Sequence, residues 1–253
     1  LTRFREKLLE LDGVQPDDVI MNFQKAAQNG LTSTICFPTG NLAPQGSVVK
    51  STAIDSTVVD TDGIYRMTGP ARIFYSEKEA MRAVKGLTKN SIQAGDVIVL
   101  CGRGPMGSGM EEVAQITLAL KHLSWGKQVA LLTDARFSGV STGACIGHIG
   151  PEALAGGPIG KLREGDIIEI KINRRKPIGT INFIGQAGKI ITPNEGKAVL
   201  DQRSAPSELQ ADPRLPEDTR LWAALQNVGG GTWGGCVYDT DQIIDILEKN
   251  SVR

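Results

Sequence analysis

Two short apolar runs, separated by a glycine-rich loop and a helical pattern, do most to limit what this chain can fold into. Asp96–Leu100 (DVIVL) and Gln128–Thr133 (QVALLT) read as buried strands. Between them lie a loop from Gly102 to Gly109 and then Met110–Ser124, where Val113, Ile116, Leu120 and Leu123 share one helical face. Strands joined by short connections through a helix predict a right-handed parallel crossover. A strand–helix–strand unit of this kind belongs in a mixed α/β fold.

The surrounding texture is different. From 31 to 75 the runs STICF, GSVVKSTAI, STVV and ARIFY alternate with Gly, Pro and Asp turns, which suggests a sheet or barrel. Ser76 ahead of Glu77 and Glu79 is placed to cap a helix reaching Val84. Ile168, Ile170 and Ile172 alternate with polar residues and are answered by 178–184, so a hairpin is expected there. The basic cluster at its tip, Lys171, Arg174, Arg175 and Lys176, reads as a solvated turn. Helices are expected at 2–11, 18–29, Arg220–Gln226 and Asp241–Lys249. Thr232 and Trp233, set between Gly229–Gly231 and Gly234–Gly235, read as a flexible loop.

The 28 basic and 28 acidic side chains cancel, which argues against a protein that holds nucleic acid by neutralising phosphate. No run approaches the roughly 20 apolar residues of a membrane helix, and no charged-then-apolar leader is visible. The chain opens on Leu1 instead of Met, as expected of a fragment or processed product. Cys36, Cys101, Cys145 and Cys236 form no CxxC pair, and the histidines are His122 and His148 alone. A zinc site made within the chain is therefore not expected. Scattered cysteines without a leader suggest reduced thiols in a cytoplasmic protein.

Several segments carry possible chemistry. Gly102-Arg103-Gly104-Pro105-Met106-Gly107 satisfies the dinucleotide pattern G-x-G-x-x-G, and Asp134 ends the next strand where a ribose-binding acid would sit. Against that, Pro105 removes an N–H from the loop that would cradle the pyrophosphate. On the expected helix, Glu111 points away from the apolar stripe and Glu112 lies about 60° from its centre. Glu112 is then a half-buried carboxylate and a metal-ligand candidate, while Glu111 suits the positive helix end. Thr133-Asp134-Ala135-Arg136-Phe137-Ser138-Gly139 follows a buried strand, where ligand sites of α/β sheets gather. Ser138 is either a hydroxyl that takes a proton beside cations or a turn residue bonding its own backbone. Asp134 and Arg136 read equally well as a mutual ion pair. Pro151 and Glu152 suit a helix entry, and His148 a core position.

Taken together, Gly104-Pro105 with Gly109-Met110-Glu111-Glu112, TDARFSG at 133–139 and GHIGPEALAGGPIG at 147–160 resemble the dihydroxy-acid and sugar-acid dehydratases. Gly40-Asn41-Leu42-Ala43-Pro44, Val48-Val49-Lys50 and GPARIF at 69–74 fit the same family. Within it, GLTSTICFPTGNLAPQGSVVK, LKHLSWGKQVALLTDARFSGVSTGACIGH and PEDTRLWAALQNVGGGTW are similar to the bacterial D-xylonate dehydratase type. Ala135 and Ser141-Thr142 depart from the branched-chain dihydroxy-acid pattern, which speaks against an amino-acid-biosynthesis substrate. Gluconate, 6-phosphogluconate and branched dihydroxy acids are the alternative substrates.

The resemblance implies a hydro-lyase that converts a sugar acid to a 2-keto-3-deoxy acid with an iron–sulfur cluster and Mg2+. Residue by residue, it makes Ser138 the base at C2 and Glu112 a magnesium ligand, with Arg136, Asp134, Phe137 and Gly139 shaping the loop. It implies a β-barrel-like swivelling domain at 31–195 with flanking helices. A helical linker at 1–30 would lead from a missing N-terminal cluster domain, and 196–253 would form a helical tail. The four cysteines match no cluster position, so this chain by itself is expected to bind neither cofactor and to be inactive. The full-length protein is expected to be a homo-oligomer.

Overall fold

The computed structural model describes residues 2–28, 34–186 and 188–250. The chain divides into two compact units, 1–34 and 35–253. In the first, α1 (Thr2–Asp12), α2 (Pro16–Val19) and α3 (Phe23–Gln28) are short. The helix expected at 18–29 is broken in two by Ile20–Asn22, and its last residue lies outside the described residues. Arg5 pairs with Asp17 and Lys25 with Asp18, each at 2.5 Å.

The second unit is built on one nine-stranded sheet. Its strands are β1 (Ile35–Cys36), β2 (Gly46–Lys50), β3 (Ile64–Phe74), β4 (Val97–Leu100), β5 (Ala130–Thr133), β6 (Ala144–Gly150), β7 (Asp166–Asn173), β8 (Ile178–Gln186) and β9 (Lys189–Ile190). They lie in the order β1-β2-β6-β5-β4-β3-β7-β8-β9. The centre, β6-β5-β4-β3, is parallel, and the flanks are antiparallel. The sheet curls into a half-barrel, as expected. Thr39, just after β1, donates to the Gly179 carbonyl at 3.1 Å and accepts from Ile181 N–H at 2.9 Å. The β1 margin thus reaches β8, and the curl leaves little edge exposed.

The central strands show why their sequences are apolar throughout. Val97 and Val99 join Ala130, Leu132, Ile146, Ile168, Ile170, Ile172 and Phe183 in the barrel core. Ile98, Leu100 and Leu131 point the other way, against Ala80, Ala83 and Val84 of α4 (Glu77–Val84) and Ile116 and Leu120 of α6 (Gln115–Lys121). Each face is covered, so each residue is apolar. Burying one such Leu or Ile contributes about 1.5–3 kcal/mol. The Ser76 cap is present, its hydroxyl accepting the Glu79 N–H at 3.2 Å. The hairpin is β7 and β8, in antiparallel register.

Three expectations need correction. The Met110–Ser124 helix is present only as the shorter α6; a single turn, α5 (Pro105–Ser108), falls within the expected loop, and six non-helical residues lie between the two. Those residues are drawn off to pair with the loop after β5: Arg136 N–H donates to Glu111 O at 3.2 Å and Val113 N–H to Arg136 O at 3.0 Å. STVV forms a tight helical turn, Ser56–Val58, capped by Asp55, and no strand. ACIGHIG is strand β6 although its glycines read as loop punctuation. An unforeseen helix, α7 (Pro193–Gln202), starts on a capping box in which Thr192 and Glu195 satisfy each other's N–H groups. The tail helices α8 (Glu217–Val228) and α9 (Thr240–Asn250) run slightly longer than expected.

Two buried carboxylates tie the loops after the parallel strands. Asp134, 1% exposed, accepts the N–H groups of Gly102 (3.0 Å), Arg103 (2.9 Å) and Ala153 (2.9 Å). Glu152, 8% exposed, accepts Met106 N–H at 3.0 and 3.1 Å. Pro151 and Glu152 lead into a single 3-10 turn, Ala153–Ala155, and not an α-helix, and the Glu152 carboxylate serves the start of α5 instead of that turn. Burial pushes the Glu152 carboxyl up to about 7, with Asp134 adding to the rise. A carboxyl whose folded pKa is raised contributes stability that is complete below its unfolded value of about 4.5 and is lost as pH rises through about 7. Melting temperature should fall between pH 5 and pH 8, and Glu152→Gln should flatten that slope and melt about 5 °C higher at pH 8. Parallel slopes for the two proteins in a thermal melt series would refute the assignment.

Candidate active site

The loop after β5 carries the residues singled out in TDARFSG. Asp134 points inward and is consumed by the three backbone amides; it makes no ion pair with Arg136. Burial raises its pKa, and the three N–H groups work against that rise. Its occupation also removes the dinucleotide reading of Gly102–Gly107. The amides of Gly102 and Arg103 serve Asp134, that of Met106 serves Glu152, and that of Gly107 donates to the Gly104 carbonyl at 3.1 Å. No ring of free donors is left for a pyrophosphate.

Past Asp134 the chain turns outward. Arg136 Nη1 pairs with Glu112 Oε2 at 2.8 Å, and Arg136 Nε donates to Met110 O at 3.0 Å. Glu112 and Arg136 form a parallel bridge, so Glu112 reaches this place from an extended segment and not from a helix face. Its side chain is about one-third exposed, at 32%. Glu111 turns the other way: Arg103 Nε and Nη2 hold its Oε2 at 2.9 and 2.7 Å. Arg103, whose side chain is 8% exposed, also meets Asp212 at 3.1 Å.

Ser138 is half-buried in a turn, its carbonyl accepting Ser141 N–H at 3.1 Å and its Oγ accepting Val140 N–H at 3.4 Å. The geometry of the turn is thus present, and the hydroxyl keeps its own proton to donate. Lys50, at the end of β2, donates from Nζ to the Gly139 carbonyl at 2.7 Å. That places a second cation on the Ser138 turn besides Arg136. Lys50 was legible as part of VVK, but nothing in its strand pattern tied it to residue 139. His148 sits on β6 behind the turn, with its ring edge-to-face on Phe137 at 5.8 Å. Burial, and secondarily Arg136, push its pKa down. Gly147 admits Phe137: a Cβ there would lie 2.5 Å from the ring.

The donor set can be weighed against the implied cofactors. Glu112 offers hard carboxylate oxygens, partly exposed, and suits one position of a magnesium ion. Cys36, Cys101 and Cys145 are buried, separate, and have thiol pKa values raised by burial, so they do not suit a shared cluster. Among the described residues, no three His, Cys, Asp or Glu converge on a common point. No helix among them is long and apolar enough to cross a membrane.

Comparison with known proteins fits this geometry. Residues 18–182 match the family model described as dihydroxy-acid/6-phosphogluconate dehydratase C-terminal. The chain is 60% identical over 245 residues to D-xylonate dehydratase YagF of Escherichia coli K12, covering 97% of this chain and 37% of that protein. Against D-xylonate dehydratase YjhG of the same organism it is 55% identical over 254 residues, covering 98% and 38%. A dihydroxy-acid dehydratase of Leifsonia xyli is 39% identical over 201 residues, 78% of this chain and 32% of that protein. The chain spans under two-fifths of the length of these relatives. It belongs to the dihydroxy-acid/6-phosphogluconate dehydratase family and corresponds to that family's C-terminal region.

Proposed function

We propose that this chain is the C-terminal domain of a hydro-lyase that dehydrates a sugar acid, D-xylonate, to a 2-keto-3-deoxy acid. The observation that carries the reading is the parallel bridge between residues 112 and 136. It brings together a carboxylate ion-paired with a guanidinium and, two residues on, a hydroxyl-bearing serine at the carboxyl end of one buried strand. Similarity to the two D-xylonate dehydratases over nearly the whole chain supports the substrate.

In this reading Ser138 Oγ takes the C2 proton as the C3–O bond breaks and water leaves, and the resulting enol tautomerises to the 2-keto acid. An iron–sulfur cluster, when bound, would supply the Lewis acid for the leaving hydroxyl. A serine hydroxyl is too weak a base by itself and needs cations that favour its anion. Lys50, on the neighbouring carbonyl, and Arg136 supply positive charge to that turn. Arg136 also faces the substrate carboxylate once Glu112 turns to a cation. Glu112 would hold one position of a magnesium ion, which supplies positive charge for the carboxylate and the developing enolate. The cysteines here do not suit an iron–sulfur cluster, so its ligands would come from a further N-terminal domain, as the greater length of the relatives supports.

Two variants of the full-length protein test these roles. Ser138→Ala should lower kcat by about 10³-fold or more with cluster absorbance unchanged; full turnover would remove Ser138 from the mechanism. For Glu112→Gln, rate should fall by about 10–100-fold and its dependence on added magnesium should weaken. An unchanged magnesium titration would place the ligand elsewhere. Glu111 would not be the substitute, since it is committed to Arg103. A panel of D-xylonate, gluconate, 6-phosphogluconate and a branched 2,3-dihydroxy acid identifies the substrate.

A further inference from the structure

We propose that Trp233 and His148 form a strap that positions the Ser138 turn; its effect on turnover rests on Ser138 being the base. After α8 the chain folds back through tight turns, Gly234 N–H donating to Gly230 O at 3.1 Å and Cys236 N–H to Gly231 O at 2.9 Å. These turns return Trp233 to the carboxyl end of β6. Its Nε1 donates to the His148 carbonyl at 2.7 Å. The indole occupies the space a side chain at Gly150 would need, a Cβ there falling 2.1 Å from the ring. Phe37 meets it edge-on at 6.4 Å. The glycine-flanked segment is therefore a docked element, contrary to its reading as a flexible loop.

His148 has a backbone φ of +53°, in the left-handed region that residues other than glycine enter seldom. Such conformations persist where the surroundings over-determine them. Here three contacts do so. The N–H donates to Ala135 O at 2.8 Å, the carbonyl accepts from Trp233, and the ring packs on Phe137. Ala135 and Phe137 lie three and one residues before Ser138. A continuous set of contacts thus runs from the tail, through an unusual backbone conformation, to the base.

The test uses Trp233→Phe, which keeps a ring and deletes the donor, and Trp233→Ala, both in the full-length protein. Hydrogen exchange should speed up about tenfold across 135–141 in Trp233→Phe, the scale of one lost hydrogen bond, while 97–100 and 130–133 keep their protection. On D-xylonate, kcat should fall about tenfold with KM within about twofold, because orientation of a base is lost and not substrate binding. Unchanged exchange across 135–141 in both variants would overturn the strap whatever the activity. Faster exchange with wild-type kcat, where Ser138→Ala is inactive, would overturn its catalytic relevance. Should Ser138→Ala retain full turnover, the base assignment fails separately, and the exchange data alone decide the strap.

Discussion

The carboxylate of Asp134 is the contact on which the site depends. It joins the loops that leave β4, β5 and β6, the three adjacent parallel strands at the sheet's centre. A carboxylate 1% exposed carries a large desolvation cost. Three backbone N–H groups at 2.9–3.0 Å offset that cost. They come from loops about 30 and 19 residues away in sequence, so the bond is tertiary and forms only when all three strands are in place. Beyond Asp134, Ala135 is buried and Arg136 is the first exposed side chain, with Ser138 half-buried two residues on.

This arrangement explains what could and could not be read from the sequence. Strands β4 and β5 were legible because both faces of each are buried, leaving unbroken apolar runs. In the β7–β8 hairpin, β7 was legible because its buried isoleucines alternate with more exposed residues, whereas β8 is buried continuously from Ile181 to Gly185. The helix expected from Met110 starts only at Gln115. Its apolar spacing from Val113 onward is real, but residues 111–113 gain backbone partners from Arg136, and tertiary pairing outweighs local helical preference. Glu112 was thus singled out on a geometry it does not have, and it reaches the site from an extended segment. Strand β6 was hidden because its glycines, read as turns, make room for Phe137 and Trp233. Glu152 and Trp233 carried no local signal. Their partners lie 46 and 85 residues away, and only the fold brings them together.

The two adjacent glutamates show how the same residue type acquires different availability. Glu111 is held through two bonds by Arg103, whose side chain is 8% exposed and which also meets Asp212. Releasing Glu111 would leave a buried guanidinium short of a partner, which costs several kcal/mol, on the order of 3–5. Glu112 pairs with an Arg136 side chain that is 49% exposed. An ion pair in such a setting is worth about 0–1 kcal/mol. In the proposed role, exchanging it for a divalent cation would therefore be cheap, and the guanidinium released by the exchange would stay solvated. Neighbouring positions in one motif, identical in charge, are separated by what each opposes: a buried cation locks the first, and an exposed cation leaves the second available for ligand exchange.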